Sequence, residues 1–562
     1  MPYTPRHASG ASAPGPVRTA PPAAPIEYPE GIDAAVLKIA GVVVLGAIMS
    51  ILDITVVNVA LATFQKEFAK GGEPLAYSTV AWTVTAYTLA LATVIPLTGW
   101  AADRFGTKRL YMAAIGLFTL GSLLCATAGS IEMLIGFRVL QGLGGGMLMP
   151  LGMTIMTRAA GPKRMGRLMA ILGVPMLLGP IFGPILGGWL IDHYSWHWIF
   201  LINLPIGIVA LVYAFFVLPK DNPTPSESFD FVGMLMMSPG LALFLYGVSS
   251  IPGEGTFFNW KTEVFGVVGL LLMALFVVYS FKPKHPLLDL RLFRNRNLAV
   301  SIITMVIFAA AFFGALLLVP QYFQVVRGES PLQAGWLVAP QGLGAMLTMP
   351  VAGALVDKFP VGRIVPFGLV AIVAGMFLLS TIDSTTSYFH ICSILFLMGL
   401  GMGGTMMPIM TTALKTLTHH EVARGSTLLN ITQQIGSSIG VATFSVILTN
   451  GLNSRPIVVQ AQAFGEAAAK VNGDPSAIQQ LLAQFPEVAK VLAGFGSNLQ
   501  AGQAALERVA KAAMADAFSH TFFVAACVVI LAVVSALFLP RKHEESHLLD
   551  DEEESAPPVL VH

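Results

Sequence analysis

GWAADRFGTKR at residues 99–109 returns, loosened, as GALVDKFPVGR at residues 353–363. Each copy opens on a glycine (Gly99, Gly353), places an aspartate four residues on (Asp103, Asp357) and ends on an arginine (Arg109, Arg363). The simplest role for basic residues in a short loop is to hold that loop on one side of a membrane. That role leaves the recurring glycine and aspartate unexplained. Glycine lets a second helix come close, aspartate can accept from a helix N-terminus or an arginine, and Arg104, Lys108 and Arg109 stand where anionic lipid would hold them. QGLGGGMLMP (141–150) is likewise echoed by GLGMGGTMMP (399–408). Two such matches predict two related six-helix halves with a helix pair inserted between them.

Composition agrees with a chain whose solvent is lipid: 55% of the 562 residues are hydrophobic, 11% are charged, and mean hydropathy is +0.73. Fourteen stretches come near the ~20 apolar residues needed to cross a bilayer core, the first at 37–61, the fifth at 168–190, the inserted pair at 230–250 and 263–281, and the last at 518–539. With a cytoplasmic N-terminus, the six inner loops carry seventeen Lys and Arg residues, and the six short outer loops only Lys66, Lys70, Lys261 and Arg327. That bias puts both termini in the cytoplasm.

The expected organisation is a disordered tail (1–34), a first six-helix half (35–218), the inserted pair and its linker (219–297), a second half (298–539) and an acidic tail (540–562). Within the second half, loop 450–517 is Ala- and Gln-rich, and it reads either as an extracytoplasmic helical hairpin or as a passive spacer. Residues 37–61 are too long for a signal-peptide core and read as a retained span.

A net charge of +1 without a continuous basic face excludes a nucleic-acid partner. Cys125, Cys392 and Cys527 lie singly in apolar segments and suggest neither disulfides nor a thiolate metal site. His193 and His197 lack a clear third ligand, GLGMGG (399–404) sits inside a span rather than after a strand, and GxxxxGK[ST] is missing. No metal and no cofactor is expected.

Ionisable side chains at membrane depth are functional candidates by default. Two stand out: Asp53 in SILDITVVNVAL and Arg138 in GFRVLQG. They could form a salt bridge that only orients two helices. However, the corresponding segment of the second half, LFLMGLG (395–401), is apolar, so the charge serves something done in one half alone. Desolvation disfavours a carboxylate's charged form, which suits Asp53 to take a proton on one side and lose it on the other. Its ionised form would attract a cation, so proton and cargo would compete for one site, with Arg138 favouring the ionised form when near.

Asn58 and Gln141 could extend that polar site. Trp82, Tyr87, Phe312, Phe313, Tyr322 and Trp336 could offer ring faces to an apolar cation, or could face lipid or core. Asn430, Gln433, Gln434 and Ser437 share one helical face, which suits helix-to-helix hydrogen bonding or a cavity wall. In GVPMLLGPIFGPILGGWL (173–190), Gly179, Gly183 and Gly187 recur every four residues while Pro180 and Pro184 remove backbone donors. This predicts a tight, bent contact with the partner half.

GWAADRFGTKR and RVLQGLGGG resemble the loop and fourth-span motifs of the major facilitator superfamily. LDITVVNVAL resembles the first-span motif of its fourteen-span drug:proton antiporters of the EmrB/QacA type. WHWIFLINLPIG (196–207) resembles a further stretch of that family, with His197 in place of the usual arginine, and residues 173–190 resemble its antiporter motif. The resemblance implies an all-α, polytopic major facilitator fold working by alternating access, with Asp53 as the proton-linked acid beside Arg138. It also implies that the 99–109 loop, with Gly99, Asp103, Arg104 and Gly106, and by repeat Asp357 and Arg363, latches the cytoplasmic side.

The resemblance and the buried charges together predict a proton-driven exporter of amphiphilic, often cationic compounds in an inner (plasma) membrane, in contact with membrane lipids. Some relatives work with a periplasmic adaptor and an outer-membrane channel. Export of a lipid or an endogenous metabolite is the alternative. A membrane enzyme or a sensor is remote, because neither a convergent catalytic set nor a soluble output domain is evident.

Overall fold

The structure, a computed structural model, describes residues 33–69, 75, 77–160, 164–221, 228–251, 256–418, 421–470, 480–494 and 499–542. Most of both expected tails (1–32 and 543–562), together with Lys70 and Lys163 of the loops, lies outside the described residues. Among the described residues there are helices and turns and no strand. A bilayer core offers backbone N–H and C=O groups no partner, so each spanning stretch must satisfy its own.

The helices in order are α1 (Ala34–Glu67), α2 (Tyr77–Phe105), α3 (Thr107–Ala126), α4 (Ile131–Ala160), α5 (Met165–His193), α6 (Trp198–Leu201), α7 (Asn203–Val217), α8 (Phe231–Ser249) and α9 (Val267–Tyr279). They continue as α10 (Arg296–Gln321), α11 (Pro331–Lys358), α12 (Val361–Leu379), α13 (Tyr388–Gly403), α14 (Met406–Lys415), α15 (Val422–Asn453), α16 (Pro456–Lys470), α17 (Pro486–Ala493) and α18 (Leu499–Ala536). By length and composition, 13 of the spans described are fit to cross a membrane. The remaining expected span, 168–190, falls on α5, a helix of 29 residues. The span expected at 388–413 is interrupted after Gly403, and Thr405 Oγ1 donates to the Gly401 carbonyl at 2.8 Å.

The glycine echo is one packing solution used twice. On α4, Gly142 and Gly146 lie against α2, where an added Cβ would meet the Tyr87 and Leu91 carbonyls, and Gly144 lies against Phe118 of α3. On α13, Gly399 and Gly403 lie against α11 at the Gln341 and Ala345 carbonyls, and Gly401 against Gly368 of α12. The triplets α2–α3–α4 and α11–α12–α13 therefore repeat at the level of contacts as well as sequence. Helices α8 and α9 close on each other through Gly240 with Gly269, and α8 also meets Gly266, the residue before α9, through Gly247. Leu241 and Leu245 of α8 pack with Ala92 and Ile95 of α2, and Val248 packs with Ala442 and Val446 of α15.

The two sets of helices meet at the end that carries the repeated loops. Gly166 of α5 lies against Gly353 of α11, and Thr154 Oγ1 is 2.8 Å from Ser426 Oγ. At the opposite end, α16, α17 and the start of α18 enclose a small apolar cluster of Phe464, Val488 and Leu506, with the Phe464 and Phe485 rings 5.9 Å apart. The described part of 450–517 thus packs its apolar faces on itself. Residues 471–479 and 495–498 lie outside it.

Gly106 separates α2 from α3 with φ +92°, a conformation a side chain rarely tolerates. An added Cβ would collide with Asp221, whose carboxylate accepts from the Lys108 N–H at 2.7 Å and the Arg109 N–H at 3.0 Å. Asp221 thereby supplies the negative group that the α3 N-terminus requires. Gly106→Ala is expected to cost about 1–3 kcal/mol and to lower the thermal midpoint in detergent. An unchanged midpoint would show the loop to be pliable.

Candidate functional site

Two faces of α1 set up the site. Asp53, Val57, Ala60 and Phe64 recur at helical spacing and are buried, while Ser50, Ile51, Ile54, Thr55 and Asn58 line an open cavity. Asp53 is 1% exposed and Arg138 of α4 is fully buried. Arg138 Nη1 donates to Asp53 Oδ2 in a short ion pair and to Gln141 Oε1 at 2.6 Å, and its Nε donates to the Thr83 carbonyl at 3.0 Å. Asp53 Oδ1 accepts from Gln141 Nε2 at 2.7 Å and from Asn203 Nδ2 at 3.3 Å. Ser122 Oγ accepts from the same two amides, at 2.6 and 3.3 Å.

Burying two charges costs several kcal/mol per ion unless geometry and extra hydrogen bonds compensate. Here α2, α3, α4 and α7 supply that compensation, and the guanidinium also lies over the Tyr87 ring at 4.1 Å and near the Phe200 ring at 5.9 Å. Arg138 Nη2 has no hydrogen-bond partner among the described residues. The arrangement suits a carboxylate that changes protonation state, since Gln141, Thr83 and Tyr87 would still hold the arginine once its anion is neutralised.

The cavity, about 1040 Å³, lies between the two sets of helices. Asn58, Asn430, Gln433, Gln434 and Ser437 line it, so the polar stripe of α15 is a cavity wall. Phe313 is the aromatic side chain on that wall. Tyr87 and Gln141 belong to the Asp53 cluster instead. Phe312 is buried with its ring parallel to Phe308 at 5.5 Å, and the Tyr322 hydroxyl donates to the Asp383 carbonyl at 2.6 Å. Trp82 stacks on Tyr246 of α8 at 5.5 Å, and Trp336 is exposed away from the cavity.

Asp53 is not on the cavity wall, so direct competition of cargo and proton for one carboxylate is not what this geometry supports. The face of α1 that turns into the first set of helices finds amides there, and that is where a membrane-buried carboxylate settles.

The glycines of α5 also lie elsewhere than expected. Gly179, Gly183 and Gly187 face α1 of their own set, at Ile51, Thr55 and Val56, and Thr55 Oγ1 reaches the Gly179 carbonyl at 3.2 Å. Contact with the partner set is made nearer the start of α5, at Gly166 and at Gly173, which meets Met349 and Met407. Pro180 and Pro184 are part of α5, but their side-chain surroundings lie outside the described residues.

At the repeated loops, Asp103 pairs with Arg158 at 3.5 Å and, across the two sets, with Arg424 at 3.8 Å. Gly99 approaches Ala423 and Thr427 of α15. Asp357 accepts from the Gly166 N–H at 2.9 Å and pairs with Arg167 at 3.5 Å. Arg104 and Arg363 are exposed.

Sequence alone does not single out Ser122, Asn203, Thr83 or Asp221, nor Gln321 and Gln324 of the cavity wall. Asn203, a lone amide in an apolar run, and the Gln321–Gln324 pair, two amides three residues apart in another, each carry a signal, whereas Ser122 carries none.

The sequence profile of the Major Facilitator Superfamily matches residues 43–441, more than half of the chain. Over 524 residues, 92% of each chain, the sequence is 45% identical to the multidrug resistance protein B homolog of Mycobacterium tuberculosis. The fold is similar to that of the proton:xylose symporter XylE, with a TM-score of 0.58 at 14% identity, covering 92% of this chain and 99% of that one. It is also similar to the human organic anion transporter TETRAN, with a TM-score of 0.53 at 15% identity, covering 88% and 100%. With a matching profile, a relative spanning nearly its whole length and two solved structures of the same fold, the chain belongs to the major facilitator superfamily, a family of multi-pass membrane transporters.

Proposed function

We propose that this transporter is a fourteen-span drug:proton antiporter of the EmrB/QacA type that exports amphiphilic, often cationic compounds by alternating access. The observation that carries the reading is the buried Asp53–Arg138 pair with its amide shell, present in one set of helices and replaced by apolar residues in the other. In lipid, a charge is retained where it works. Asp53 is the proton-exchanging acid, and Arg138 compensates its charge. Cargo binds in the 1040 Å³ cavity, against Phe313 and the amides of Asn58, Asn430, Gln433 and Gln434. The name of the 45% identical relative supports drugs as cargo.

The proposed setting is the inner (plasma) membrane, with both termini cytoplasmic and the domain limits read from the sequence. The repeated loops then form a cytoplasmic latch, closed here, with the cavity served from the other side. A periplasmic adaptor and an outer-membrane channel would extend the route in a cell with two membranes.

The reading is tested with purified protein in vesicles under an imposed pH gradient. An acidic compartment facing the outer end should drive ethidium toward it, and a protonophore should stop the movement. Ethidium flux insensitive to the gradient and to the protonophore would sink the antiport reading. For the latch, Asp103→Asn should weaken the Arg424 contact by about 1 kcal/mol, a shift of roughly fivefold in the closed-to-open ratio. Spin labels on α2 and α15 at the basic end should then report a longer distance population, and an unchanged distribution would remove Asp103 from the latch.

A further inference from the structure

Resting on the antiport reading, we infer that the Ser50–Tyr87 pair is the positioning link through which cavity occupancy sets the protonation of Asp53. Cargo in the cavity cannot touch Asp53, because the carboxylate is buried and is not part of the cavity wall. Coupling must pass through groups that meet both, and Tyr87 is such a group. Its hydroxyl is 3.2 Å from Ser50 Oγ, a cavity-wall residue, and lies against Gly145, another. Its ring is the bed of the Arg138 guanidinium, 4.1 Å from the ring centre. Tyr87 is fully buried, so the ring cannot shift without moving one end or the other.

When Asp53 is protonated, Arg138 loses its anionic partner and is left with the Thr83 carbonyl, Gln141 Oε1 and the Tyr87 ring. The position of that ring then helps to decide how costly protonation is, since an arginine over an aromatic face is worth more as the site is drier. Cargo that takes the Ser50 hydroxyl, or presses on the wall beside Gly145, displaces the Tyr87 hydroxyl and with it the ring. By linkage, whatever occupancy does to proton affinity, protonation does to cargo affinity by the same factor. The titratable or charged side chains facing this cluster from the helices packed on it, among the described residues, are Asp53, Arg138, Cys125 and Tyr87 itself.

The test counts protons released per tetraphenylphosphonium bound, at saturating probe, in weakly buffered detergent solution across a pH series. Wild type should release protons and Asp53→Asn should release none. Tyr87→Phe keeps the ring and loses the hydroxyl, and Ser50→Ala removes the partner. Each should cut release per bound probe by at least about twofold, as loss of a coupling of about fivefold or more between the two sites would produce. A merely structural role would reduce the amount of binding protein without changing that ratio. Wild-type ratios in both variants, with Asp53→Asn silent, would overturn the link and leave the antiport reading standing. No release from wild type, or unchanged release from Asp53→Asn, would overturn both.

Discussion

Asp53→Asn is expected to abolish proton-driven export, lowering pH-gradient-driven flux in vesicles by about 100-fold or more, a loss of the size expected when an essential group is removed outright. Asparagine keeps the shape and cannot exchange a proton. It also leaves Arg138 buried without its anion, and removing one partner of a buried pair costs about 3–5 kcal/mol. Part of that penalty is relieved by Gln141 Oε1, the Thr83 carbonyl and the Tyr87 ring, which stay in place. The variant should therefore fold with a lowered thermal midpoint. Adding Arg138→Gln should restore stability without restoring transport. Stability and transport lost and regained together would mean that the pair only holds α1 and α4 in place. Retained gradient-driven flux in Asp53→Asn would remove it from the proton path.

Gly183→Leu should insert and then fail to cycle, with flux reduced at least about 10-fold. A Cβ at Gly183 already overlaps Thr55, so leucine must push α1 off α5. Overpacking of this kind costs about 1–3 kcal/mol, less than the ~5–15 kcal/mol by which folded proteins are typically stable. Thr55 also lines the cavity, so a displaced α1 distorts the cargo wall and the Asp53 face at once. Thr55→Ala in the same chain should recover part of the flux, because it removes the overlapping hydroxyl. Normal transport by Gly183→Leu alone would reduce the glycine row to packing.

The spans and the repeat are legible in the sequence because lipid imposes length and apolarity on every segment, and because the same glycine–backbone approaches are needed twice. Asp53 and Arg138 are legible for the complementary reason, since charge in an apolar run is conspicuous. The stripe of Asn430, Gln433 and Gln434 can be read as one face because helical spacing alone aligns it. Which neighbour each face meets is not written locally. The sequence places Asp53 at the cargo site, but Gln141, Asn203 and Ser122 draw it inward, and they come from positions 88, 150 and 69 residues away in the chain. The α5 glycines match a close approach without saying to what, and α1 rather than the partner set fills it. Asp221 reaches Lys108 across 113 residues, and no local pattern foretells such a cap.

The burial of Asp53 behind the cavity wall, out of reach of what the cavity holds, also bears on electrical work. If the exchanged proton never shares a site with the cargo, one proton can be exchanged per cargo molecule whatever charge the cargo carries. For each proton exchanged, a monovalent cation would then leave with no net charge moved, while a neutral compound would leave with one charge moved inward. Membrane voltage would drive the second export and be indifferent to the first, so a cell that lost its voltage but kept its pH gradient would stay protected against cations while its defence against neutral compounds weakened.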